Sequence, residues 1–214
     1  MKHLNLPGLI RASLTTFLML TFAAGASAQS AGSTWTDLGI EFAGGESSSS
    51  TEIVGDTYVL PSSGLEVVIG AGVDASDPTG ADVQDQIIVT TRDGIGAVAA
   101  IPAIGFPART LEAYVGGFGE SMESVEELDL QESRELATAI YRVESGGTVQ
   151  YMVISVNAEV SPGNHVIEVV VAGANGIEPL IHDLSANVSI DGVAMFADLD
   201  VEHALEIVAA DDSD

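Results

Sequence analysis

Leu136-Ala-Thr-Ala-Ile-Tyr-Arg-Val143, Val149-Gln-Tyr-Met-Val-Ile-Ser-Val156 and His165-Val-Ile-Glu-Val-Val-Val171 are the segments on which the fold turns. Each is rich in β-branched and aromatic residues and is bounded by turn chemistry, Glu144-Ser145-Gly146-Gly147 and then Ser161-Pro162-Gly163-Asn164. The pattern predicts three consecutive antiparallel strands, roughly 135–143, 149–156 and 165–171, in meander order. In the middle one, both alternating sets are apolar: Tyr151 and Val153 on one face, Met152, Ile154 and Val156 on the other. A strand apolar on both faces belongs at the centre of a sheet covered from both sides.

Upstream, Thr57-Tyr58-Val59-Leu60 and Leu65-Glu66-Val67-Val68-Ile69 flank Pro61-Ser62-Ser63-Gly64 and predict a β-hairpin. A polar loop over 70–84 then leads to strands at 87–91 and 95–101, separated by Arg92-Asp93-Gly94. Thr110 is positioned to cap a helix carrying Leu111, Tyr114, Val115, Phe118 and Met122 at helical spacing. Downstream of the meander, Ile177, Leu180, Ile181 and Leu184 mark a second amphipathic helix, with Val188 and Ile190 continuing its apolar track. A short helix is expected over 200–209, with Val201, Leu205 and Val208 inward, before the acidic terminus Asp211-Asp212-Ser213-Asp214. The order ββββ-α-βββ-α with a terminal appendage specifies an α+β fold, a central antiparallel β-sheet flanked by helices.

The N-terminus carries a different message. Lys2, His3 and Arg11 precede a mostly apolar run from Ala12 to Ala24, and Ala26-Ser27-Ala28 follows as a small-residue cleavage pattern. Residues 1–28 therefore read as a cleavable secretory signal peptide. The run is shorter than the ~20 residues that span a hydrocarbon core. With no cysteine in the chain, a lipoprotein anchor is not expected. Residues 29–52 form a Ser/Gly-rich lead-in containing Trp35, residues 53–192 the α+β domain, and residues 193–214 the short helix and acidic tail.

After cleavage, four arginines (Arg92, Arg109, Arg134, Arg142) would face 32 acidic residues, a net charge of −28 with no lysine. Such a surface disfavours nucleic acid and anionic membranes as partners, because both require a basic face. It suits a highly soluble or salt-adapted protein, and it also suits one that collects hard cations such as calcium.

The stretch Leu136 to Val143, Gly147-Thr-Val-Gln-Tyr151, Pro162-Gly163-Asn-His165 and Ile177 to Gly192 resembles the C-terminal half of PsbP-like domains, including the DcrB-type and LpqN-type proteins of bacterial envelopes. The hairpin from Tyr58 to Ile69 is similar to that family's opening one, so the resemblance covers about residues 53–192. It implies a PsbP-like α/β/α sandwich, whose closing helix is followed by a short strand like Ala186 to Ile190, and a secreted, non-catalytic accessory or binding domain for a protein or small-molecule partner. It carries no catalytic residues across.

The residues offer two alternatives. A calcium-stabilised module would use Asp74, Asp77, Asp82 and Asp85, four carboxylates in a loop with Gly80 to permit a bend, although their spacing is not that of an EF-hand. A hydrolase would need one of His165, His182 or His203 beside a nucleophile and an acid. Gly117-Phe118-Gly119-Glu120-Ser121 does not fit the nucleophile-elbow pattern, and no His/Cys cluster has zinc spacing. Asp198, Asp200, Glu202 and His203 read as helix-start chemistry, with Asp200 the capping acceptor. Asn187-Val188-Ser189 fits the glycosylation acceptor rule and is assigned no role.

Overall fold

In the computed structural model, residues 57–213 are described apart from 61–62, 71–72, 78–84, 92–93, 104, 119–121 and 162; of the earlier residues only the strand segments 20–22, 40–42 and 51–53 are described. Most of the expected signal peptide, Trp35 and most of the Ser/Gly-rich lead-in lie outside the described residues. Strands β1 (Leu20–Phe22) and β2 (Ile40–Phe42) pair with each other.

The domain is mixed α+β, with two antiparallel sheets. The larger holds eight strands, β3 (Thr51–Ile53), β6 (Asp74–Asp77), β7 (Gln86–Thr90), β8 (Ile95–Pro102), β12 (Asn164–Ala172), β11 (Thr148–Ser161), β10 (Leu136–Ser145) and β9 (Ser124–Glu132), in that spatial order. The smaller is ordered β14 (Val193–Ala194), β13 (Val188–Ile190), β5 (Glu66–Ile69), β4 (Thr57–Val59). Among the described residues there are three helices, α1 (Pro107–Phe118), α2 (Ala174–Asn187) and α3 (Val201–Asp212).

The expected meander is present, and β11 lies inside the large sheet between β12 and β10. Its two residue sets go to different cores, as the sequence requires. Met152, Ile154 and Val156 pack with Ile167, Val169, Ala139 and the α1 residues Leu111 and Tyr114. Tyr151 and Val153 pack with Val166 and Val170, with Ile177, Leu180, Ile181 and Leu184 of α2, and with Ala204 and Val208 of α3. The large sheet is therefore covered by α1 on one face and by α2, α3 and the small sheet on the other. Each fully buried leucine or isoleucine of α2 contributes roughly 1.5–3 kcal/mol.

Two local features set this geometry. The β10–β11 hairpin closes on Gly146 and Gly147, with φ of 57° and 75°, between the paired Ser145 and Thr148. Positive φ at both central residues is the type I′ turn whose twist matches the flanking strands. On β8, a methyl at Gly96 would lie 2.6 Å from Leu184 Cδ1 and 2.9 Å from Val89 Cγ2, so glycine there lets α2 lie close against the sheet.

The structure corrects several expectations. The meander has a fourth strand, β9, at its outer side, and the expected 70–84 loop contains β6. Helix α1 begins at Pro107, so Thr110 lies within it and does not cap it. Proline at a helix start loses nothing, because its missing N–H would have had no helical partner there. Met122 is buried beyond the end of α1. Val188 and Ile190 do not prolong α2; they form β13, where Val188 pairs with Ile69 and Ile190 with Val67. Helix α3 runs to Asp212, with Ala204 and Val208 as its buried residues and Val201 and Leu205 packed beside them.

Candidate functional site

On the face of the large sheet that carries α2 and α3, three polar residues interrupt an apolar surface. Along β11 the sequence Tyr151, Val153 gives way to Ser155 and Asn157, and on β12 Glu168 stands between Val166 and Val170. Ser155 and Glu168 are register partners across the β11–β12 ladder. Their side chains therefore leave the same face about 5 Å apart at Cβ. A small cleft opens at this point. Ser155, Asn157 and Glu168 form its floor, and Ile190, Val193, Ala194, Ala197 and Asp198 form its wall.

The wall belongs to the connection between the small sheet and α3. Asp191 and Gly192, with φ of 48° and 81°, turn the chain from β13 into β14. Asp191 Oδ1 accepts the Glu66 N–H at 2.8 Å, which fixes this turn to β5. Beyond it, Met195 N–H donates to the Val188 carbonyl at 2.9 Å, and Phe196 adopts φ 61° with only 3% of its surface exposed. A bulky residue in the left-handed region is strained, so its surroundings must hold it there. Phe196 N–H donates to Glu168 Oε2 at 2.9 Å, and Asn157 Nδ2 donates to Asp198 Oδ2 at 3.1 Å.

Glu168 has an unusual electrostatic position. Burial raises its pKa from the ordinary 4.5 to about 7; the nearby Asp198 charge acts in the same direction and the Phe196 N–H opposes both. Ser155 is 2% exposed and lines the cleft beside Glu168.

The sequence-derived candidates lie elsewhere. Asp74 is exposed on β6, Asp77 ends that strand, Asp85 is 6% exposed with φ 61°, and Asp82 lies outside the described residues. Among the described residues, no group of three His, Asp or Glu side chains could hold a metal ion.

The three histidines occupy separate positions. His165, on β12 and facing α1, is 4% exposed and its Nδ1 lies 2.7 Å from Thr110 Oγ1; burial lowers its pKa. His182 is an exposed neighbour of Glu178 on α2, at 3.9 Å. His203 Nε2 lies 2.9 Å from Asp129 Oδ2, joining α3 to β9, and that hydrogen bond raises its pKa. Its backbone N–H also donates to Asp200 Oδ1 at 3.1 Å, the capping bond expected from the sequence. At the other end of α3, Asp211 Oδ2 accepts from the Tyr151 hydroxyl at 2.8 Å and lies 3.5 Å from Arg142 Nε. Compared with known proteins, the chain matches no family model and no curated sequence.

Proposed function

We propose that this chain is an exported, non-catalytic binding or accessory domain built on a PsbP-like sandwich. The observation that carries the reading is the cleft between the sheet and the β14–α3 connection, whose polar lining is two carboxylates, a serine and an asparagine, with no histidine among the residues that line it. Acyl or phosphoryl transfer needs a nucleophile, a base within hydrogen-bond reach and an orienting group together. Among the described residues His165 meets Thr110, His182 meets Glu178 and His203 meets Asp129, at three separate places in the fold. Each pairing has a structural role sufficient to explain it: tying α1 to β12, lining an exposed helix face, and fastening α3 to β9.

Helices on both faces of the large antiparallel sheet support the PsbP-like reading. The ordered basic, apolar and small-residue segments over 1–28 support export. No helix among the described residues is long and apolar enough to cross a membrane.

The test is a panel of ester, phosphoester, peptide and glycoside substrates applied to the purified protein and to its His165→Ala and His203→Ala variants. Equal background rates in all three are expected. Turnover by the parent chain that either substitution abolishes would overturn the non-catalytic reading. Expression of the full chain with N-terminal sequencing of the product tests export: a product beginning at Gln29 is expected, and one retaining Met1 refutes cleavage.

A further inference from the structure

We propose that α3 is a latch on the large sheet, closed while a proton on His203 joins it to Asp129 and released as a unit when that proton leaves. The latch works whether or not the binding-domain reading holds. Three features of α3 and the strands beneath it define the device.

The first is shallow seating. Ala204 and Val208 are the buried residues of α3, whereas α2 buries Ile177, Leu180, Ile181 and Leu184. Lifting α3 therefore exposes less apolar surface than lifting α2 would. The last turn of α3 holds Asp211 and Asp212 and no basic residue, an arrangement that opposes the helix dipole. An element with so little buried area opens at a lower free energy than the sheet it covers.

The second is the fastening. Near the start of α3, His203 Nε2 lies 2.9 Å from Asp129 Oδ2 on β9, and Gln131 Nε2 donates to the same oxygen at 3.3 Å. Near its end, Asp211 Oδ2 accepts from the Tyr151 hydroxyl and lies 3.5 Å from Arg142 Nε. Arg142 is shared, since its Nη1 also lies 3.9 Å from Glu126 of β9. Among the described residues, the sheet thus holds α3 by polar contacts at two points, and one of them can lose its charge.

The third is the charge of the seam. With its capping residue, α3 carries Asp200, Glu202, Glu206, Asp211 and Asp212, and β9 carries Glu126, Glu127, Asp129 and Glu132. Between these acidic elements the described cations are Arg142 and protonated His203. The hydrogen bond from Asp129 raises the His203 pKa; burial opposes it, and the charges of Asp129, Asp200 and Glu206 add to the rise. Among the described residues, no charge on α2 or β10, which also touch α3, acts on it. Closure is therefore strongest below pH 6.5 and weakens as pH rises through the elevated value. Above that value one arginine is left between two acidic elements that repel each other. Release bares the core around Ala204 and Val208 and frees Arg142 and Tyr151 from Asp211.

Residue-resolved amide hydrogen exchange, corrected for intrinsic rates and run at about pH 5 and about pH 8 on either side of histidine titration, tests the latch. Amides from Ala204 to Val208 should exchange faster than those from Tyr151 to Val156 of β11 and depend little on dilute urea, as a local opening requires. Asp129→Asn keeps an acceptor oxygen and loses the charge, so it should speed α3 exchange about two- to fivefold at the lower pH and barely alter it at the higher. His203→Lys, whose charge persists, should hold α3 protection at the higher pH near its low-pH level. The two side chains are 35% and 28% exposed, so neither substitution threatens the fold.

Exchange of α3 in step with β11, in rate and in urea dependence, would show that α3 leaves only when the whole domain unfolds and would overturn the proposal. So would an Asp129→Asn effect that is equal at the two pH values or absent at both, because the His203 proton would then have no part in closure. A His203→Lys variant that still loses α3 protection between the two pH values would assign the release to another group and sink the latch as well.

Discussion

Phe196 holds a left-handed backbone conformation, and its N–H is bound by the side chain of Glu168, 28 residues earlier on the central sheet. One carboxylate thus serves both as floor of the cleft and as anchor of the strained connection that forms its wall.

The elevated Glu168 pKa makes stability depend on pH. A carboxyl with a folded pKa of about 7 and an ordinary value of 4.5 binds its proton more tightly in the folded chain. Its contribution is complete below about pH 4.5 and is lost as pH rises through 7. Urea unfolding at pH 5 and pH 8 should show that loss, at most about 3 kcal/mol given about 1.4 kcal/mol per pKa unit. Glu168→Gln, which can still accept from Phe196, should flatten the pH dependence. An unchanged pH profile in that variant would show that another group titrates.

Thr110 and His165 form a buried pair at 2.7 Å, so Thr110→Val should leave the imidazole Nδ1 without its partner. The expected loss is about 1–3 kcal/mol, and Thr110→Ser should recover part of it. Burial holds the His165 pKa down, so the folded state resists protonation and this histidine weakens the fold as pH falls below 6.5. In Thr110→Val and in the parent alike, His165→Gln should reduce acid sensitivity in chemical unfolding.

His203 behaves in the opposite sense. Its bond to Asp129 raises its pKa, so the stability this pair adds is present below pH 6.5 and lost as pH rises through the elevated value. Proton NMR titration should place the His203 midpoint higher in the parent than in Asp129→Asn. Coincident midpoints would exclude the pairing in solution.

Gly96→Ala should destabilise by about 1–3 kcal/mol, because its methyl would meet Leu184 Cδ1 at 2.6 Å inside a filled interface. The denaturation midpoint in urea should fall accordingly. A midpoint equal to the parent's would mean that α2 stands further from β8 than the structure places it.

The meander was legible because β10, β11 and β12 carry β-branched residues between glycine-containing turns, and because both faces of β11 are apolar. The strand β9 was not legible. In Ser-Val-Glu-Glu-Leu-Asp-Leu-Gln-Glu132, only Val125, Leu128 and Leu130 are apolar, and the bulge opposite Ile140 and Tyr141 breaks their alternation. Asp-Ala-Ser-Asp77 likewise carries too little apolar material to read as a strand, and it owes its state to pairing with β7. Thr110 carries a cap-forming side chain yet sits inside α1, because such residues are also tolerated within helices and here its hydroxyl meets His165.

The cleft itself spans three distant segments, so no local spacing marks it. One clue was present all the same: Ser155 and Glu168 are the polar residues within otherwise apolar runs, and tertiary pairing places them opposite one another.

The composition that concealed β9 also governs how copies of the chain meet. A nine-residue strand at the end of a sheet offers its free backbone to any similar strand, which is how sheets recruit neighbours and polymerise. Here that rim carries Glu126, Glu127, Asp129 and Glu132. Two molecules approaching rim to rim would bring these carboxylates into opposition, on top of an overall charge of −26. High salt shortens the reach of that repulsion to a few ångströms. The sheet should therefore stay solitary in dilute buffer and become most open to edge-on association in brine.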